Sequence, residues 1–282
     1  MNVNEPAHRR ARLTVAYDGA HFHGFAINDG VRTVAGVLTD ALSLIARIPI
    51  DITGAGRTDA GVHAWDQVIS CDLPIDIDID GLARRLTKMC APGVVVRDAR
   101  WATDPGFDAR FSALWRRYRY TVLNDPTSDP FLAPTSWHVA SPLNLALMHL
   151  ACDPLVGEHD FSAFCRKPKL SREQIERGDP GPSLVRRVTV ARWSEHQSDH
   201  GARILRFEVQ ANAFCHQMVR SIVGCLVDVG LGRLSPGDIS GILRSRDRTA
   251  AGTVAPPQGL TLWQVGYPEA PAGKAPGFTN GS

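Results

Sequence analysis

The sequence lacks any run of 18 or more apolar residues, so it offers no segment able to span a membrane as a helix. Its N-terminus, from Met1 to Arg12, is polar, carries three arginines and has no apolar stretch of the kind found in secretory signals. These two absences predict a cytoplasmic protein without a membrane partner.

Cysteine is scarce, and no two cysteines have the CxxC spacing. This argues against both a zinc site and a disulfide framework. We therefore expect reduced thiols packed in the core, and this expectation covers Cys71, Cys90, Cys152, Cys165, Cys215 and Cys225.

Net charge is also small, because 31 basic residues nearly balance 29 acidic ones and leave +2. That balance is weak evidence for a nucleic-acid partner. Charge is nevertheless concentrated locally, where arginines 110, 116, 117 and 119 are interleaved with Phe111, Trp115, Tyr118 and Tyr120. Such a mixture suits phosphate contact together with base stacking. The alternative is a solvated charged face of a strand, which is common.

The 282 residues are ordinary for a folded protein, with 44% hydrophobic and 21% charged residues, and are enough for one large domain or two smaller ones. The apolar periodicity predicts strand–helix–strand–strand–helix–strand, then a similar round with insertions. This order is typical of α+β proteins with helices on one face of mostly antiparallel sheets. We expect an N-terminal domain at 1–105, a C-terminal domain at 106–268 and a disordered tail at 269–282.

Several helices and one loop can be placed more closely. A helix capped by Thr33 should be followed by others at about 80–89, 143–155 and 214–229, and by a short one that starts at Ser235. The polar segment from Lys167 to Ser183 is rich in Pro and Gly, which predicts a mobile loop or insertion.

The densest motif is GAGRTDAGVHA, from Gly54 to Ala64. Its three glycines permit unusual backbone angles and close approach of another chain. It is not a phosphate-binding loop, because the GxxxxGK[ST] spacing is missing and a carboxylate would repel phosphate. Without further context, a tight turn with a structural Arg57–Asp59 pair would explain it.

This motif resembles the signature of the tRNA pseudouridine synthase A family. Further resemblance extends over nearly the whole chain in the same order, through YDG at 17–19, FDARFSA at 107–113, RRYRY at 116–120, the stretch from Ala211 to Arg220, and APP at 255–257. The chain departs from the family pattern at Gly24-Phe25-Ala26, at 87–92 and at Gln217.

The resemblance implies a pseudouridine synthase fold with two ferredoxin-like halves and an RNA cleft between them. It also implies isomerisation of uridine to pseudouridine on the 3′ side of the anticodon stem and loop of tRNA, by a homodimer that binds tRNA across both subunits. This reaction breaks the N1–C1′ bond and joins C5 to C1′. Since it involves no redox change and loses no group, we expect no cofactor.

By the same resemblance, Asp59 is the catalytic carboxylate, acting as a nucleophile or as a base at the sugar. Arg220 pairs with Asp59 and keeps it ionised. Tyr118 holds the uracil while it turns. Because the target base must leave its stack, Arg57 occupies the vacated space or grips a neighbouring phosphate.

A metal is not expected, since His21, His23 and His63 near turns are more typical of hydrogen-bonding residues than of ligands. Two other functions remain open at this point. One is a non-catalytic ferredoxin-like RNA-binding protein, which would bind RNA without needing Asp59. The other is a glycosyl-bond hydrolase, which would want a second catalytic carboxylate, and Asp66 is the one nearby in sequence.

Overall fold

The computed structural model describes residues 7–167 and 181–268, together with four isolated positions between these ranges. The predicted disordered tail and most of the predicted mobile loop at 167–183 lie outside the described residues. Among the residues that are described, no helix has the length and apolarity needed to cross a membrane.

The first half of the chain has the predicted order of elements. These are strand β1 (His8–Tyr17), helix α1 (Val34–Ala46), strands β2 (Thr53–Gly54) and β3 (His63–Pro74), helix α2 (Ile79–Cys90) and strand β4 (Val94–Trp101). The central strand β1 pairs antiparallel with both β3 and β4. The prediction of this half from periodicity is therefore confirmed.

Local sequence explains where the two helices start. The Thr33 side chain accepts a hydrogen bond from the backbone N–H of Gly36, and the Asp78 side chain accepts one from the N–H of Gly81. Such caps satisfy backbone donors that have no partner within the first helical turn. Each helix then buries an apolar stripe, represented by Leu38 in α1 and by Leu82 in α2.

The second half contains more strands than helices. Its elements are β5 (Trp115–Leu123), β6 (Trp137–His138), α3 (Leu145–Leu150), β7 (Gly157–Asp160), β8 (Val185–Gln197), β9 (Arg203–Ala211), α4 (Met218–Gly230), α5 (Asp238–Ser245) and β10 (Leu260–Gly266).

Two helices are shorter than predicted. The helix expected at 143–155 is limited to α3 and is followed by a separate 3-10 turn, Asp153–Leu155. Pro154 lies in that turn and has no N–H with which to continue an α-helix. The helix expected from Phe214 begins only at Met218, because Gln217 has a left-handed backbone with φ of 65°. The first turn of the helix predicted at 214–229 is therefore not helical.

All the strands of the described residues join one mixed, mostly antiparallel sheet, in the order β4-β1-β3-β10-β5-β9-β8-β7, with β2 beside β3 and β6 beside β5. The last strand makes the connection between the halves. It pairs parallel with β3 at His63 and Ala64, and antiparallel with β5. The predicted α+β class is confirmed, and β10 brings the glycine-rich motif next to the second half.

Burial alternates along β5, which separates its two faces. Arg116, Tyr118 and Tyr120 are buried, whereas Arg117 and Arg119 on the other face are partly exposed. Helix α4 is buried on nearly all sides. This pattern is expected of a helix packed in the centre of a protein.

The cysteine prediction is wrong for one pair. Cys165 and Cys215 form a disulfide, while Cys71, Cys90, Cys152 and Cys225 are buried free thiols. The pair is 50 residues apart in sequence, with no spacing motif to reveal it. It forms because the turn at 162–166 lies beside the segment that precedes α4, where the Arg166 N–H donates to the His216 carbonyl.

Candidate active site

The glycine-rich loop between β2 and β3 is fixed by main-chain and amide hydrogen bonds. The Ala55 N–H donates to the carbonyl of Val68 over 2.8 Å. The fully buried Gln67 side chain donates to the Gly56 carbonyl over 2.6 Å and accepts from the Gly56 N–H over 3.4 Å. This part of the loop is held as an extension of the sheet edge.

The next part of the loop is held by the turn after β1. The Thr58 carbonyl accepts a hydrogen bond from the Phe25 N–H over 3.1 Å, and the Thr58 hydroxyl pairs with the Tyr17 hydroxyl at 2.8 Å. Gly24 approaches Thr58 with φ of 98°, a conformation that favours glycine. A Cβ there would lie 3.0 Å from the Thr58 carbonyl oxygen.

Asp59 follows these anchors and meets two basic side chains. One guanidinium nitrogen of Arg220, Nη1, donates to Oδ2 of Asp59 over 3.0 Å, and Nε2 of His216 lies 3.4 Å from Oδ1. The Asp59 side chain remains 24% exposed. Its carboxylate is therefore held in one orientation and is still open to a ligand.

Arg220 is held by groups other than the carboxylate. Its Nε donates to the Ala255 carbonyl over 2.8 Å, and the Ala255 N–H donates back to the Arg220 carbonyl over 3.0 Å. Gly224, one turn further along α4, allows the backbone at Thr253 to pass against the helix. These contacts leave Nη1 directed at Asp59.

Tyr118 is the aromatic side chain of this site. Its ring packs edge-on against Phe214, with 4.9 Å between ring centroids, and a Cβ on Gly56 would lie 3.7 Å from its hydroxyl. Burial raises the pKa of Tyr118 well above its ordinary value, and the neighbouring Tyr17 and the charge of Asp59 add to the effect. Tyr118 is therefore a neutral phenol near pH 7, able to donate a hydrogen bond but a poor base.

Arg57 is exposed, and its guanidinium has no hydrogen bond or ion pair with the residues that the structure describes. The structure thus brings Asp59, Arg220 and Tyr118 together. Arg57 lies two residues from Asp59 on the same loop with its charge unengaged.

The arginines of the cluster at 110–119 do not share one surface. Arg116 is buried and donates to the carbonyls of Ala55, Arg110 and Asn212.

Two other arginines of the cluster project from the opposite face of β5. Arg117 binds the Gln210 side chain, and Arg119 pairs with Glu208 at 2.8 Å. Because successive side chains of a strand alternate between faces, one run of arginines cannot line one surface. Of the four arginines, Arg110 is the one that is exposed and whose guanidinium has no hydrogen bond or ion pair with the described residues.

The alternative carboxylate and two of the three histidines, His21 and His63, have other partners. Asp66 lies 3.6 Å from Arg97, and burial raises its pKa. The buried His63 places Nε2 within 3.1 Å of the Gln258 carbonyl oxygen and Nδ1 within 3.1 Å of Asp18. In the described parts of the chain, no three His, Cys, Asp or Glu side chains are grouped as metal ligands would be.

Sequence reasoning missed two residues that build the site, Gln67 and Arg116. Gln67 is followed by the apolar residues Val68 and Ile69, and a lone amide beside a buried strand run requires a hydrogen-bond partner. That signal was present. The role of Arg116 was hidden, because two of its four carbonyl partners, Ala55 and Asn212, are distant in sequence.

The chain was compared with known proteins. The family model for tRNA pseudouridine synthase matches residues 151–268. A tRNA pseudouridine synthase A of Frankia casuarinae is 44% identical, with 93% of this chain and 90% of the relative covered. The tRNA pseudouridine synthase A of Corynebacterium glutamicum is 39% identical, with 93% of this chain and 90% of the relative covered. That of Bacillus subtilis is 35% identical, with 92% of this chain and 99% of the relative covered. The glycine-rich loop presents its carboxylate, and the similarity covers almost the entire chain. The chain therefore belongs to the tRNA pseudouridine synthase family.

Proposed function

We propose that this protein isomerises uridine to pseudouridine in tRNA, and that Asp59 is its catalytic carboxylate. The observation that carries the proposal is the geometry at Asp59. The carboxylate is partly exposed, pairs with Arg220 on one oxygen, lies near His216 on the other and has a buried phenol beside it. This is one anchored carboxylate at a site open to a base.

Each neighbour suits a separate part of the reaction. Asp59 acts at the sugar as a nucleophile or a base, while the guanidinium of Arg220 holds its carboxylate in place. The neutral Tyr118 offers an aromatic face and a hydrogen-bond donor to the detached uracil. Arg57 is free to enter the space that the flipped base leaves, or to bind a phosphate. No group leaves and no electrons are exchanged, so the residues need no cofactor.

We further infer where and how the substrate is bound. The target lies on the 3′ side of the anticodon stem and loop, in a cleft between two ferredoxin-like halves at 1–105 and 106–268. The proposal of two halves is supported by the repeated element order and by β10, which adjoins both. A homodimer that binds tRNA across both subunits, in the cytoplasm, follows from the family resemblance.

The test is incubation with unmodified tRNA transcripts, followed by mapping of pseudouridine through chemical adducts. We expect conversion by the wild type, and none by Asp59→Asn with tRNA affinity within a few-fold, because the amide keeps shape but loses charge. Free uracil among the products would indicate the hydrolase instead. Tight binding without conversion would indicate a non-catalytic RNA-binding protein.

A further inference from the structure

Phe111 is the most exposed large apolar side chain of the segment that connects the halves, with 80% of its surface in water. The guanidinium of Arg110 lies 5.3 Å from its ring centroid. An exposed phenylalanine gains nothing from burial in the folded protein. Its position therefore needs another explanation.

The backbone that carries Phe111 is fixed. One carboxylate oxygen of Asp108 accepts hydrogen bonds from the N–H groups of Arg110 and Phe111, over 2.8 and 2.9 Å. The Ser112 hydroxyl accepts from the Asp108 N–H, and the Ser112 N–H donates to the Asp108 carbonyl. The ring is thus presented to solvent by a rigid turn.

This turn adjoins the loop that bears Asp59. Nη2 of the buried Arg116 donates to the carbonyl oxygens of both Arg110 and Ala55. Two oxygens that share one donor lie within about 5 Å of each other. Ala55 is four residues before Asp59, so the turn that carries Phe111 adjoins the loop of the candidate active site.

We propose that Phe111 is a stacking platform for a nucleobase that neighbours the target uridine, and that Arg110 binds the phosphate beside it. Extrusion of one base leaves its neighbours without a stacking partner, and a fixed aromatic ring at the rim replaces the lost contact. An aromatic face next to a free cation suits RNA better than it suits an apolar peptide. The inference rests on the proposed function, because it takes the substrate to be tRNA.

The test measures the affinity of a tRNA anticodon stem-loop transcript for three variants. Phe111→Ala should weaken binding about 5- to 150-fold, the range for loss of one base–aromatic stack. Phe111→Leu should weaken it nearly as much, whereas Phe111→Trp should stay within about threefold of wild type. Because the ring is exposed, the unfolding midpoint should not change in any of the three.

Phe131 supplies a matched control. It is 84% exposed and lies in the segment after β5, whereas Phe111 lies in the segment before that strand. Phe131→Ala should bind the transcript like the wild type.

Salt dependence distinguishes the ring from the cation. Arg110→Gln should reduce the slope of log affinity against log salt by about one, as expected when one phosphate contact is lost. Phe111→Ala should lower affinity and leave that slope unchanged.

Equal affinity of Phe111→Ala and the wild type would overturn the inference, as would full affinity of Phe111→Leu, which would indicate simple apolar contact. Self-association of the wild type that Phe111→Ala abolishes would mean that a second copy of the chain covers the ring. The binding outcomes test the role of Phe111 once the wild type has been found to form pseudouridine. If the wild type forms none, the proposed function itself is refuted.

Discussion

Replacement of Arg220 by methionine tests the central ion pair of the site. The change keeps an unbranched apolar stem of similar shape and removes the guanidinium. The 3.0 Å pair with Asp59 is worth about 5 kcal/mol at an effective dielectric constant of about 20, before the cost of desolvation. Truncation of one partner in desolvated pairs typically costs about 2–5 kcal/mol.

The partial exposure of both groups places this pair at the low end of that range. Arg220 is 14% exposed and Asp59 is 24% exposed. We therefore expect Arg220→Met to slow single-turnover conversion roughly 30- to 150-fold near neutral pH, equivalent to about 2–3 kcal/mol. The carboxylate also loses the guanidinium that fixes its orientation, so the conversion rate should fall more than tRNA affinity.

Two further variants make the test selective. Arg220→Lys should recover part of the rate, because an ammonium supplies the charge without the planar fork that also binds the Ala255 carbonyl. Arg233→Met is the control. Arg233 pairs with Asp228 just beyond the end of α4 with its side chain 69% exposed, and exposed pairs contribute about 0–1 kcal/mol.

The assay is conversion of tRNA at saturating enzyme, with tRNA affinity and the unfolding midpoint measured in parallel. A contact between Arg220 and a phosphate of the tRNA would give a different pattern. Arg220→Met would then weaken tRNA binding and leave the rate of the single-turnover step at saturating enzyme unchanged. That result would refute the role assigned to the Asp59–Arg220 pair.

Three other predictions concern the surroundings of the site. Gln67→Leu should lower the free energy of unfolding by about 1–3 kcal/mol and reduce kcat, because it leaves both polar groups of the Gly56 backbone without a partner. A variant with wild-type stability in urea would contradict this. Burial alone would raise the pKa of Glu208, but hydrogen bonds from Arg119 and Arg192 outweigh it and hold the pKa below its ordinary 4.5. The stabilisation by Glu208 should therefore be complete above pH 4.5 and fade as the pH falls further, so urea unfolding of the wild type and Glu208→Gln should converge in acid. A chelator should leave conversion of prefolded tRNA unchanged, and a loss that added zinc restores would bring back the histidine-ligand hypothesis.

Local signals were sufficient to predict the first half of the fold. The caps at Thr33 and Asp78 and the apolar stripes of α1 and α2 depend on residues within a few turns of one another. The later helices were predicted less well, since their ends depend on single backbone features. One is Pro154, and the other is the left-handed Gln217.

The partners of the site could not be derived from spacing. Arg220 and Asp59 are 161 residues apart, and the pair was expected only through the family resemblance. The disulfide between Cys165 and Cys215 was missed for the same reason. The ion pair depends on how α4 packs against the first half, and the disulfide depends on how the turn at 162–166 packs beside the segment before α4; periodicity reports neither.

The arginine cluster shows how far composition alone can be taken. Arginine and aromatic residues together predicted a surface for RNA, but strand geometry sends Arg117 and Arg119 to one face and Arg116 to the other. Arg116 then uses its guanidinium to bind four backbone carbonyls, and Arg119 is paired with Glu208. Cations engaged in this way have little capacity left for phosphate. Phosphate contacts near Asp59 are therefore to be sought first on the loops, at Arg57 and in the turn at 108–112.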